Sequence, residues 1–285
     1  MKRLILVFSI IASLSAFAYG QAPSNGSMAL SPARFELEMK PGTETTVVVN
    51  LDYRSAADMT KPARIVASLN DWTITRDGRV EYFPANSQPN SASPWLLFSP
   101  GEGSVMPGSM HQIRATVAVP ANATPGDHLA ALIIEERPDT LKFEQNMRKV
   151  VLRYRMASVF YIKVGELTKK GGFENLYAES SEDGIVVTPV LTNQGNSVIR
   201  PTATVSVIDA DGKVVADAPE SETLPVLAGT GSARAMLIEK SLPAGKYTVK
   251  YRVDFQDGKP PTVGVTDLVV PVPQIATGTP PVKKP

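Results

Sequence analysis

The run from Lys149 to Val164, KVVLRYRMASVFYIKV, constrains the fold of this chain more than any other stretch. Val150, Leu152, Tyr154 and Met156 alternate with Val151, Arg153, Arg155 and Ala157. A period of two places successive side chains on opposite faces of a strand. Valine and aromatic residues dominate the run, and neither glycine nor proline interrupts it. Such residues fit a pleated, half-buried surface. At about 3.3 Å per residue the run would reach roughly 50 Å, against a usual strand of about 5–6 residues. A strand of that length either bends or serves two sheets. Its place near the middle of the chain makes it the last strand of a first domain, running into a second. Two readings follow: a long buried strand, or a strand whose exposed edge or face is lent to a partner.

The N-terminus reads MKRLILVFSIIASLSAFAYG. Lys2 and Arg3 form a positive region, Leu4 to Ala16 an apolar core, and Ala18-Tyr19-Gly20 a small-x-small exit. This is the pattern of an export signal peptide over residues 1–20, cleaved after Gly20 or Ala18. Its apolar core is short for a membrane span, and no later stretch is apolar enough to cross a bilayer. The mature protein is therefore expected to be exported, to the periplasm or the cell surface, and otherwise soluble. Cysteine is absent, so an exported domain here must be held by core burial alone. Lysine and arginine number 29 against 28 acidic residues, a net charge of +1. That balance argues against nucleic acid as a partner, which would call for a basic surface.

Proline (24) and glycine (20) are spread along the chain, as many short strands joined by turns require. LSPARFELEM alternates Phe35, Leu37 and Met39 with Arg34, Glu36 and Glu38, and Pro41-Gly42 turns the chain. TTVVVNLDY is a second strand and PARIVASLNDWTI a third, with Trp72 expected as a core anchor. Asp77-Gly78 marks a hairpin turn toward Val80 and Tyr82. Residues 84–94 form a polar loop rich in Pro, Asn and Ser. SPWLLFSP, HQIRATVAVP and HLAALIIEER follow as strands, and a charged loop over 139–148 precedes the long strand. Turn signals every 8–12 residues fit an immunoglobulin-like sandwich. The second half repeats the style, with Asp211-Gly212 and Asp257-Gly258 as turns and Tyr247, Val249, Tyr251, Val253 and Phe255 on one alternating face. The expected fold is all-β: two tandem immunoglobulin-like β-sandwich domains, residues 28–164 and 165–272, joined by the long strand. Residues 273–285, PQIATGTPPVKKP, read as a Pro-rich disordered tail with a basic tip.

Little in the sequence points to catalysis. The two histidines, His111 and His128, fall in separate predicted strands without further ligands at metal-binding spacing, so they read as structural or surface residues. Ser158 lies inside a strand and has no Gly-x-Ser-x-Gly context. Asp209, Asp211 and Gly212 lack the acidic residue that would close a calcium loop, and a hairpin turn accounts for them. The chain is expected to be no enzyme, with no catalytic residues, metal, cofactor or small-molecule substrate. Binding through surface and strand edges remains.

LSPARFEL with PGTETTVVVNL, then ASLNDWTITRDGRV, FSPGEGSVMPGSMHQIRATV, TPGDHLAALIIEERP and VVLRYRMASVFYIKV follow one another as strands do in a known family. In this order and spacing, residues 28–164 resemble the periplasmic pilus-assembly chaperones, the PapD-like family. The resemblance implies a chaperone that completes the unfinished sandwich of a pilus or fimbrial subunit by lending it a strand. Carried over, Val150, Leu152, Tyr154 and Met156 would be the donating residues. Arg34 falls where the family has one of two basic residues that hold the subunit's terminal carboxylate. The position expected to hold the second, a lysine, is Ser158 here, with Arg155 and Lys163 as nearby substitutes. Implied partners are exported pilin-like or other immunoglobulin-like subunits and an outer-membrane usher. A second resemblance is to paired immunoglobulin-like surface modules of Gram-positive bacteria that bind peptidoglycan or WxL-type partners. It implies an envelope or cell-surface binding module, but those proteins usually end in a membrane anchor.

Overall fold

The computed structural model describes residues 27–54, 62–137 and 155–272. In chain order the strands are β1 (Ser27–Ser31), β2 (Arg34–Met39), β3 (Glu44–Arg54), β4 (Ala63–Ile74), β5 (Val80–Pro84), β6 (Leu96–Ser99), β7 (Glu102–Val105), β8 (Met110–Ala118), β9 (Gly126–Glu136) and β10 (Arg155–Val164). They continue as β11 (Gly171–Ser181), β12 (Gly184–Asn193), β13 (Thr202–Ile208), β14 (Val214–Glu222), β15 (Gly231–Ser232), β16 (Met236–Ile238), β17 (Gly245–Asp254) and β18 (Thr262–Val270). Among the described residues the only helical element is a 3₁₀ turn, Ser93–Trp95. The fold is all-β, two sandwiches in tandem.

In the first sandwich one sheet runs β1-β3-β8-β6 and the other β2-β10-β9-β4-β5, with β7 also on β4. In the second, β11-β12-β15, with β16 also on β12, faces β14-β13-β17-β18. The stretch expected as one opening strand is split. Pro32 and Ala33 interrupt it, so β1 pairs with β3 in one sheet and β2 pairs in parallel with β10 in the other. Proline brings no N–H to a ladder, which suits a point where the chain changes sheets.

The sheet containing β10 is apolar on both faces. Ala130, Leu132 and Ile134 of β9 and Phe160, Ile162 and Val164 of β10 enter the first core, with Val49, Leu51 and Ile113 from the opposite sheet. Their neighbours of opposite parity, Leu129, Ala131, Ile133 and Tyr161, join Trp72, Val198 and Leu227 in a separate cluster between the two sandwiches. A continuous apolar run such as HLAALIIEER is the signature of a strand buried on both faces. Trp72 is buried, but in this seam and not in the first core. The reason is parity: Ala63, Ile65 and Ala67 of β4 point into the core, and an even-numbered residue points away from it.

The second core gathers Val187, Leu191, Val205, Val207, Val249, Tyr251 and Val253. Two further contacts tie the sandwiches together. The β4–β5 turn accepts a bond at Arg76 O from Ala233 N, 2.6 Å, and Asp127 N donates to Asn196 O, 2.8 Å. The second approach needs Gly126. Its φ of 131° and the 2.9 Å that would separate an added Cβ from Asn196 O leave no room for a side chain.

Candidate functional site

Strand β10 has two neighbours along only part of its length. It pairs with β9 over Arg155–Val164 but with β2 only over Val159–Val164. The Val159 amide still donates to Ala33 O, 3.0 Å, and the Ser158 hydroxyl to the Pro32 carbonyl. Beyond that point the chain has crossed to the other sheet as β1. Among the described residues, no strand therefore covers the second edge of Arg155, Met156 and Ala157. An uncovered strand edge carries unpaired N–H and C=O groups and is a template for another strand.

Side-chain parity sorts the residues around this edge. Met156 has the core-facing parity of Phe160 and Ile162 and packs, half-buried, against the first core. Val150, Leu152 and Tyr154 lie outside the described residues. Ser158, at the position where the resemblance leads one to expect a lysine, shares the core-facing parity and is fully buried. Arg155, Tyr161 and Lys163 have the opposite parity. Arg34, paired with Val159, and Glu36, paired with Tyr161, lie on that same outer face.

On this face three cations converge on one carboxylate. Glu36 Oε2 accepts from Lys163 Nζ at 2.8 Å, and its Oε1 accepts from Arg200 Nη2 at 2.8 Å. Arg34 Nε lies 3.3 Å from Glu36 Oε1, with its side chain 53% exposed. Arg200 comes from the second sandwich, so Glu36 bridges the two. Arg200 also packs over the Tyr161 ring, 5.4 Å from its centroid, and lies 3.9 Å from Glu222. Partial burial works against the charge of Glu36, but the hydrogen bond from Lys163 and the positive field of Arg200 outweigh it and hold the carboxyl below its ordinary value. Lys163 and Arg200 both donate to Glu36. Arg34 is the most exposed of the three cations.

The alternation of LSPARFEL signalled Arg34 and Glu36 on one face, yet nothing local pointed to Arg200, which is 164 residues away in sequence from Glu36. Among the described residues, no cluster of three or more His, Cys, Asp or Glu side chains could hold a metal ion, and no helix is long and apolar enough to cross a membrane. His128 Nε2 lies 2.9 Å from Thr124 O, and its ring packs 4.3 Å from that of Trp95.

Residues 191–266 match the family model of the CopC domain. That stretch contains no histidine or cysteine. No curated protein matches the chain. The chain is similar to a chain of the chaperone–tip adhesin complex of CFA/I fimbriae biogenesis, with 10% identity, 86% of this chain and 100% of that one covered, and a TM-score of 0.45. It is similar to the class 5 fimbriae chaperone CfaA, with 11% identity, coverage of 86% and 100%, and a TM-score of 0.44. A third likeness is to a chain of the CsuC–CsuE chaperone–tip adhesion subunit pre-assembly complex from archaic chaperone-usher Csu pili of Acinetobacter baumannii, with 14% identity, coverage of 85% and 98%, and a TM-score of 0.41.

Proposed function

We propose that this protein is a non-enzymatic, periplasmic chaperone-like protein that binds exported subunits of pilus or fimbria type by strand addition. The observation that carries this reading is the edge of β10 at Arg155–Ala157, which no second strand covers among the described residues, beside the exposed guanidinium of Arg34. A subunit lacking one strand exposes both a hydrophobic groove and an unpaired edge, and both promote aggregation. Strand pairing along β10 satisfies the edge. The alternating residues that the family resemblance marks as donating, Val150, Leu152, Tyr154 and Met156, fill the groove. Arg34 takes the subunit's terminal carboxylate in a charge-assisted hydrogen bond. Ser158 takes no part in that contact, and the second cation is drawn from the Glu36 cluster.

A pull-down from periplasmic extract with the tagged mature protein, read by mass spectrometry, tests the reading. The expected result is one or two small immunoglobulin-like subunits at near-equal stoichiometry. The double variant Leu152→Glu, Tyr154→Glu is expected to lose them while its thermal unfolding is unchanged. Capture unaffected by that variant would contradict the reading, as would recovery of cell-wall material alone.

A further inference from the structure

Strand β18 lies at an edge of the second sandwich and has one hydrogen-bonded neighbour among the described residues, β17. β11 of the facing sheet packs beneath it, with the Phe173 ring against Gly264, but forms no ladder with it. An open edge is a template for a further strand, and folded proteins blunt such edges with bulges, proline, charge or shortness.

The other edge of the same sheet is blunted in this way. β14 carries Pro219 and the acids Asp217, Glu220 and Glu222, and its ladder with β13 shifts register twice. β11 has a register shift between Phe173 and Asn175 and carries Glu174 and Glu179. β18 has no such protection. Its nine residues, TVGVTDLVV, pair with β17 without a shift, include no proline and carry a single charge, Asp267.

The outward column of β18 is apolar. Val263, Val265 and Val269 are 55%, 58% and 61% exposed. Each stands opposite an exposed cation of β17: Arg252, Lys250 and Lys246 respectively. The valines are thus bordered by cations on one side and by no strand on the other.

A strand that pairs here must itself be apolar and unguarded, and β18 meets that requirement. Two copies related by a two-fold axis through this edge pair antiparallel and join their sheets into one. The two β17 cation rows then lie roughly 14 Å apart, beyond the screening length of about 8 Å at physiological salt. Asp267 supplies charge complementarity. With Val265 on the axis, Asp267 falls opposite Val263 of the second copy, next to that copy's Arg252.

We infer that the protein self-associates through β18, two copies pairing antiparallel edge to edge. The inference is independent of strand addition at β10, which lies in the other sandwich. The test is sedimentation of the full mature chain over a range of concentrations, beside Val265→Lys and Val269→Lys. Both positions are exposed, so folding is expected to survive, and thermal unfolding checks it. A concentration-dependent dimer is expected. Either substitution weakens it at least about tenfold, because the change enters a two-fold interface twice. The chain has no cysteine, so single cysteines report proximity. Val265→Cys is expected to give a covalent dimer with a short thiol cross-linker, and Asp217→Cys on the blunted edge is expected to give none. A chain that stays monomeric up to about 1 mM would overturn the inference. So would a dimer that the folded lysine variants leave intact, or one cross-linked through position 217 and not 265.

Discussion

The seam between the two sandwiches has two flanks of contrasting chemistry. On one, Glu36 gathers Arg34, Lys163 and Arg200, with the Arg34 side chain more than half exposed. On the other, Trp72, Leu129, Tyr161, Val198 and Leu227 are buried together, and the Trp72 and Tyr161 rings meet edge to face at 5.1 Å. Ion pairs near water contribute about 0.2–1 kcal/mol each, whereas truncating a buried aromatic side chain costs about 3–5 kcal/mol. The apolar flank therefore holds the sandwiches in register. The ionic flank contributes little to stability, and its charges can exchange partners at small cost.

Five substitutions break or sharpen this contrast. The largest effect is expected from Trp72→Ala, about 3–5 kcal/mol in denaturant unfolding, because it empties the centre of the apolar flank. Asp71→Ala follows at about 2–3 kcal/mol, since two amides and two hydroxyls lose a charged acceptor. Burial disfavours the Asp71 charge, but hydrogen bonds from Ser91, Ser93, Gln88 and Ser87 prevail and hold its pKa below 3.8. The stability that Asp71 contributes is thus present above that value and lost as pH falls through the lower folded pKa, which acid unfolding of the wild type and the variant would reveal.

Asp127 has the opposite sign. Burial raises its pKa above 3.8, so the fold favours the protonated carboxyl, and that contribution disappears as pH rises through the folded pKa. Asp127→Asn keeps an acceptor for the Val198 amide and removes the buried charge. Its Tm is expected to exceed that of the wild type at about pH 8, with the gain absent at about pH 3. On the ionic flank, Glu36→Gln is expected to cost no more than about 1 kcal/mol, and less in high salt. Arg34→Ala is expected to leave stability within about 0.5 kcal/mol of wild type and yet weaken subunit capture, which separates recognition from folding on this flank.

Most of the strands and turns were legible in the sequence because alternation and turn chemistry are local. The Asp77-Gly78 turn, the alternating face of Tyr247 to Phe255 and the strand character of HLAALIIEER all follow from near neighbours. What covers a face is not local. A run apolar at every position shows that both faces are buried without showing what buries them, so Trp72 read as a core residue although it belongs to the seam. Arg34 was singled out through the resemblance of LSPARFEL to a PapD-like first strand. The bond from Arg200 to Glu36 was not legible, because the two meet only when the second sandwich docks on the first. Asp71 gave a faint signal in the serine-rich loop that follows it, but its four hydrogen bonds depend on that loop folding back. Ser158 looked like a substitution in the cleft. Its parity with Phe160 and Ile162 instead turns it inward, toward the Pro32 carbonyl.

The central claim is that the edge of β10 at Arg155–Ala157 receives a strand from a subunit. Hydrogen exchange at the backbone amides of Arg155–Ala157, with and without a captured subunit, tests it most directly. Amides that point away from β9 are expected to exchange rapidly in the free protein and to become protected in the complex, while Val159–Val164, already paired on both sides, change little. Protection of the edge amides in the free protein, or exchange unchanged by the bound subunit, would contradict it.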